Sequence, residues 1–187
     1  MRFVATDLPG VLIVEPDVHR DARGFFLETF RQDTYQAGGI PGPFVQDNQS
    51  LSAGATVRGL HLQVGARPQG KLIRVLEGAI YDVAVDVRRG SPTFGRWVGA
   101  WLTAEDFRQI YVPPGFAHGF AVTSRSAQIE YKCTDVYDPQ GEIGIAWSDP
   151  AIGVEWPVHL LPGPPLLSAR DINNPPLAAL MDRLPFY

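Results

Sequence analysis

The sequence predicts an all-β, antiparallel double-sheet jelly roll, and three observations carry that prediction. Apolar residues make up 45% of the 187-residue chain and include 10 Phe, 6 Tyr and 4 Trp, enough to close one sizeable core. Turn formers are dense, with 19 Gly and 17 Pro, which divides the chain into short pieces. Between the breaks, apolar or alternating runs recur at 11–14, 45–50, 56–63, 71–76, 79–87, 97–102, 109–112, 117–123, 127–133 and 143–147. About ten such runs suit a sandwich or barrel. Helical pattern is confined to 28–37, which ends at Gly38-Gly39, and to 177–183 after Pro175-Pro176; neither is long enough to build a layer. There is no internal repeat, low-complexity tract or long charge block. Residues 1–187 therefore read as one jelly-roll domain with an N-terminal strand extension and a short helical tail.

Alternation assigns faces to the strands. In 56–63, Arg58-Gly59-Leu60-His61-Leu62-Gln63 puts a histidine and an arginine on either side of a glycine. Strict alternation sends Arg58 and His61 to opposite faces, and a bulge or twist at Gly59 would bring both to one site. In 71–76, Lys71 shares a face with Ile73 and Val75. In 79–87, Tyr81, Val83, Val85 and Val87 form one face, which reads as core, whereas Asp82 and Asp86 fall on the other, which does not. The run at 117–123 follows the tight turn Pro113-Pro114-Gly115 and sets His118 with Phe120 and Val122. In 127–133, Tyr131 lies with Ile129 and Cys133. A Lys, a Tyr and a His thus point into a common interior. Lys71 is the most informative, because a long charged side chain is rarely buried without a partner or a ligand.

Charge and cysteine content bound the function. Lys plus Arg total 16 against 20 Asp plus Glu, a net charge of −4, so bulk electrostatics favour neither nucleic acid nor an anionic membrane. An anionic ligand must be held by a local cluster. Cys133 is the only cysteine and has no internal disulfide partner, the N-terminal residues carry no apolar stretch of signal-peptide length, and no run approaches a membrane span. A reduced, cytoplasmic setting is expected.

Two chemistries suit the polar residues. His61 and His118 in a β-rich chain suggest metal ligands, yet His61-Leu62-Gln63 supplies an amide where metal-binding jelly rolls usually supply a second histidine and a following glutamate. Proton transfer at carbon requires a base, a group that orients it, an opposing acid and a cation where negative charge develops. His61, Asp171, Tyr131 and Lys71 offer those four. Taken singly, Tyr131 also fits a core aromatic, Asp171 a cap in a C-terminal loop and Lys71 a solvated strand end. Spacing alone leaves the choice open.

A colinear set of motifs resolves it by resemblance. Asp21-Ala22-Arg23-Gly24-Phe25-Phe26-Leu27-Glu28, Gln46-Asp47-Asn48, Arg58-Gly59-Leu60-His61, Gln69-Gly70-Lys71-Leu72, Gly115-Phe116-Ala117-His118-Gly119-Phe120, Tyr131-Lys132-Cys133-Thr134-Asp135 and Trp147-Ser148-Asp149-Pro150 resemble the dTDP-4-dehydrorhamnose 3,5-epimerase family from about residue 3 to 176. The resemblance implies a cupin-type jelly roll that needs no metal or other cofactor and works as a homodimer. It also implies inversion of C3 and C5 of dTDP-4-dehydro-6-deoxy-D-glucose on the route to dTDP-L-rhamnose. Carried over by position, it makes His61 the proton acceptor, Asp171 its partner, Tyr131 the proton donor and Lys71 the neighbour of the C4 oxygen. Arg23, Phe26, Glu28, Gln46, Asp47, Asn48, Arg58, His118, Glu142 and Arg170 match substrate-binding positions, and Tyr137 matches the residue that stacks on thymine. Arg170 stands where the family more often has Lys, which keeps the charge and changes the donor geometry. Arg23 and Glu28 lie far enough along the chain from the other motifs to be supplied by a partner's N-terminal strand.

Three rivals remain at this point. A relative that inverts only C3 or only C5 of a related dTDP-4-keto sugar carries much the same motifs. A metal-dependent oxygenase needs more His or Glu ligands near His61. A non-catalytic sugar-binding jelly roll has no use for base, acid and orienting carboxylate together.

Overall fold

Strands buried on both faces organise this protein, whose computed structural model describes all 187 residues. The elements run β1 (Arg2–Ala5), β2 (Leu12–Glu15), β3 (His19–Asp21), β4 (Gly24–Phe26), α1 (Gln32–Ala37), β5 (Gln46–Ala53), β6 (Val57–Gln63), β7 (Lys71–Glu77), β8 (Ala79–Asp86), β9 (Trp97–Thr103), β10 (Gln109–Val112), β11 (Phe116–Val122), β12 (Ser126–Cys133), β13 (Glu142–Gly144) and α2 (Ala169–Ile172), with 3₁₀ turns at Val158–Leu160 and Leu177–Arg183. One sheet has the order β1-β2-β10-β7-β12-β5 and the other β13-β6-β11-β8-β9, while β3 and β4 form a separate hairpin. The strand pairings are antiparallel. This is the expected jelly-roll sandwich.

Three apolar layers follow from the alternation. Between the sheets, Ile73 and Val75 of β7 and Ile129 of β12 meet Ile80 and Ala84 of β8 and Phe116, Phe120 and Val122 of β11. On the outer face of the five-stranded sheet, Val83, Val85 and Val87 join Leu60 and Leu62 beneath Trp156, Leu177, Leu180 and Leu184. On the outer face of the other sheet, Leu72 and Tyr111 pack with Tyr35 of α1.

The structure corrects the reading of β8, because the aspartate face is buried too: Asp82 and Asp86 are both 0% exposed. They are tolerated because each is paired, Asp82 with His118 and Asp86 with Arg88, Ser91 and Thr93. The valine face is core only because the C-terminal segment folds back over it.

Other differences are local. The first turn of the expected helix at 28–37 stays irregular, and α1 begins at Gln32 with no side-chain cap at Arg31. Residues 177–183 form a 3₁₀ rather than an α-helix. A three-residue turn superposes i and i+3, which presents Leu177 and Leu180 together to the sheet, each burial being worth about 2 kcal/mol. The β3–β4 hairpin and β1 are too short for periodicity to reveal. The expected strand at 143–147 is cut to Glu142–Gly144, although Ile145 still exchanges backbone hydrogen bonds with Leu60 at 2.8 and 3.1 Å.

Candidate active site

At one end of the sandwich the inter-sheet core gives way to polar side chains. The residues do this by register. Lys71 of β7 lies opposite Cys133 of β12, Tyr131 lies opposite Ile73, and on the next strand Asn48 and Gln46 of β5 pair with Tyr131 and Cys133. The facing sheet supplies His61 and Gln63 from β6, Glu142 from β13 and, beside His61, His118 from β11. A cleft of about 260 Å³ results, lined by Gln46, Asn48, His61, Lys71, Tyr131 and Glu142 among others.

A bulge at Gly59 lets His61 reach this cleft from the face that Arg58 also occupies. His118 pairs with His61 and Phe120 with Arg58, so β6 spends one residue more than β11 over the same span. Gly59 takes up that residue at φ +126°, and a Cβ there would lie 2.6 Å from the Gly119 Cα. Arg58 and His61 then share a face, and both line an adjoining cleft of about 330 Å³ with Ser168 and Asp171.

The His61 Nε2 lies 2.5 Å from Asp171 Oδ1. Asp171 is buried, and burial pushes its carboxyl up, but the hydrogen bonds from His61 and Ser168 outweigh this and hold it below the usual range. An ionised carboxylate at Nε2 keeps the proton on that nitrogen and leaves Nδ1 as the basic one. From the opposite sheet Tyr131 presents a hydroxyl with no protein partner, and burial raises its pKa, so the phenol stays protonated. Lys71 forms neither a hydrogen bond nor an ion pair with any side chain. Burial lowers its pKa, and the nearby Cys133, Glu142 and Asp82 offset part of that loss. His118 Nε2 is fixed 2.9 and 3.0 Å from the two Asp82 oxygens.

At the rim, Tyr137 donates to Glu142 at 2.8 Å and Arg170 pairs with the same carboxylate. Burial raises the Glu142 pKa, but these two donors bring it below the ordinary value. Gln46 accepts from the Tyr137 backbone N–H at 2.8 Å and donates to Asn48 at 3.0 Å.

Not every candidate comes to the cleft. Asp47 sits between Gln46 and Asn48, so the pleat turns it to the outer face, where it pairs with Lys132 at 2.8 Å. Arg23 is 91% exposed in the β3–β4 hairpin and pairs with Asp21, Phe26 is exposed beside it, and Glu28 lies 3.7 Å from Arg31. Within one chain these four residues do not line the cleft.

Conversely, sequence reasoning weighed Gln63 only as a poor metal ligand and gave no role at the site to Gln69, Asp82, Cys133 or Ser168. Gln63 binds the Asp138 backbone at both ends of its amide and Gln69 donates to the Asp135 carbonyl, so the two amides pin the loop that carries Tyr137. Parity gave the signal for Gln63, two residues beyond His61 on the same face. No group of three or more His, Cys, Asp or Glu side chains is arranged to hold a metal ion.

A carboxylate-held imidazole and a phenol on opposite walls of one cleft are equipped to take a proton from one face of a bound molecule and return one to the other, the chemistry of isomerases that move protons on and off carbon. The comparisons narrow the class. The dTDP-4-dehydrorhamnose 3,5-epimerase family matches residues 5–179. A dTDP-4-dehydrorhamnose 3,5-epimerase of Shigella flexneri is 50% identical over 175 residues, 93% of this chain and 94% of the relative. The crystal structure of a dTDP-6-deoxy-D-glucose-3,5-epimerase from Legionella pneumophila Philadelphia 1 in complex with dTDP-4-keto-L-rhamnose superposes with a TM-score of 0.94 at 44% identity, covering 100% of this chain and 98% of that one. A 3'-monoepimerase from Streptomyces bikiniensis in complex with dTDP-quinovose superposes with a TM-score of 0.91 at 36% identity, covering 98% and 93%. The chain belongs to the dTDP-4-dehydrorhamnose 3,5-epimerase family.

Proposed function

We propose that this protein inverts C3 and C5 of dTDP-4-dehydro-6-deoxy-D-glucose to give dTDP-4-dehydro-L-rhamnose, with His61 as base and Tyr131 as acid. The observation that carries this reading is their placement on opposing sheets of one cleft, with the only unpaired cation of the cleft, Lys71, beside them. The C4 ketone acidifies the hydrogens on both neighbours, since either carbanion is delocalised onto the C4 oxygen. One base and one cation then serve two carbons. His61 takes the proton and Asp171 stabilises the imidazolium. Lys71 stabilises the enolate oxygen, and its lowered pKa makes it a better donor there. Tyr131 returns a proton to the other face, which is what inversion requires. No step calls for a cofactor.

The nucleotide is read at the rim. The half-exposed Tyr137 ring offers a face for thymine, and Arg58 and Arg170 offer charge for the diphosphate. Arg23, Phe26 and Glu28 enter through a homodimer in which the exposed hairpin of one chain completes the cleft of its partner. The lone cysteine is free and buried, which suits a reducing cytoplasm, and no helix is long and apolar enough to cross a membrane.

Incubation with the 4-keto nucleotide sugar in D₂O tests the reading. Deuterium at C3 and C5 with both centres inverted is expected. Inversion at one centre only assigns the chain to the single-site epimerases, and no exchange at either centre overturns the proposal.

A further inference from the structure

Asp171 is held by more than its histidine. Its second oxygen, Oδ2, accepts from the Ser168 hydroxyl at 2.9 Å, while the same hydroxyl accepts from the Asp171 backbone N–H at 3.0 Å. Oδ1 receives Asn174 Nδ2 at 3.3 Å in addition to His61. Ser168 is thus the N-cap of α2, and the residue three places on is the carboxylate that faces the base. A four-residue helix does not persist by its own propensity. Here the segment is fastened on both sides of His61. Leu166 bridges Thr56 in parallel fashion, with hydrogen bonds of 2.9 Å to Val57 and Ala55, just before β6 reaches His61. Ala146 donates to Pro175 at 2.8 Å, and Asn174 packs so closely on Gly144, the register partner of His61, that a Cβ there would lie 2.3 Å from its oxygen.

We infer that Ser168 is a positioning residue: its hydroxyl locks the Asp171 rotamer, and Asp171 in turn locks the tautomer and direction of His61. The inference rests on the reading of His61 as the base. Without the hydroxyl, two polar groups of a residue only 4% exposed lose their partner at once, the Oδ2 acceptor and the backbone donor. The adjoining cleft lined by Thr56, Arg58 and Leu166 gives the carboxylate room to turn toward solvent, away from the imidazole. His61 then samples both tautomers, and only one of them has its basic nitrogen free of Asp171.

The test combines kinetics with ¹⁵N NMR of the histidine rings in the substrate-free protein. For Ser168→Ala we expect kcat to fall by about tenfold, a fraction of the 10²- to 10⁴-fold that a general base supplies, with KM within twofold, because the base is retained and only its orientation is loosened. The two ring nitrogens of His61, distinct in the unmodified protein, should move toward each other as the tautomers mix. Ser168→Thr, which restores a hydroxyl at the same position, should recover the separated signals and most of kcat. Ser168→Gly deletes the hydroxyl at little cost to the helix cap, and gives the same readings should the alanine variant not fold. A fixed His61 tautomer in the hydroxyl-free variant, or a threonine variant as impaired as alanine, overturns the inference. Because the NMR reading needs no substrate, it is independent of the proposed reaction. Failure of the unmodified enzyme to turn over the 4-keto sugar refutes that reaction and leaves the tautomer result standing.

Discussion

Replacing Tyr131 by phenylalanine separates proton removal from inversion. The hydroxyl has no partner in the protein, unlike those of Tyr35 and Tyr137, so its loss orphans nothing. The ring keeps its packing against the inter-sheet core. Stability should therefore change by no more than about 0.5 kcal/mol, whereas Tyr131→Ala adds a cavity penalty of about 3 kcal/mol or more. Loss of a general acid slows inversion by about 10²- to 10⁴-fold, or about 3 to 5 kcal/mol of barrier. Proton abstraction by His61 and stabilisation of the enolate by Lys71 are untouched, and His61 can return deuterium to the face from which it took hydrogen. In D₂O the variant should accumulate deuterium in uninverted sugar, read by NMR of one sample in which both label and configuration are scored, with a thermal melt as the folding control. His61→Ala should lose exchange and inversion together. Inversion at both centres at the unmodified rate, or exchange that falls in step with inversion, refutes Tyr131 as the donor on the face opposite the base.

The other predictions concern charge and backbone. Lys71→Ala removes the cation at the developing enolate and should cost about 10² to 10³ in kcat, while Arg170→Lys keeps the rim charge beside Glu142 and should cost far less; equal losses place Lys71 away from the reacting oxygen. Gly59→Ala forces a side chain into φ +126° with its Cβ 2.6 Å from Gly119, and should destabilise by about 2 kcal/mol or more in urea melts. An unchanged midpoint means the bulge is not fixed by that contact. Burial raises the Asp86 pKa, but donors from Arg88, Ser91 and Thr93 bring it down to about 2. A depressed folded pKa stabilises the protein above the unfolded value near 4 and loses that contribution as pH falls toward 2. Unmodified protein should therefore lose about 1 to 2 kcal/mol over that window, after allowance for screening, and Asp86→Asn should lack this part of the slope.

Sequence by itself determined the architecture and, through its motifs, the family. Side chains alternate with a period of two whatever the tertiary context, so the inward parity of Lys71, Tyr131 and His118 was readable from their apolar neighbours. The need for a bulge or twist at Gly59 followed from setting that parity against the resemblance, which puts Arg58 and His61 in one site. What parity cannot supply is which faces are covered and which strands meet. The aspartates of β8 looked solvent-facing because parity does not show what covers their face: register brings His118 of β11 to Asp82, and the turn just past the strand end folds Arg88, Ser91 and Thr93 onto Asp86. Asp47 followed the motif in sequence and the pleat in space, and the pleat decides where a side chain points. The site of Asp171, 110 residues from His61, was set by the fastening of residues 166–175 to β6 and β13. Short elements such as α2 are stabilised by those tertiary contacts rather than by their own propensity, so the cap pattern of Ser168 and Asp171 is too little to announce a helix.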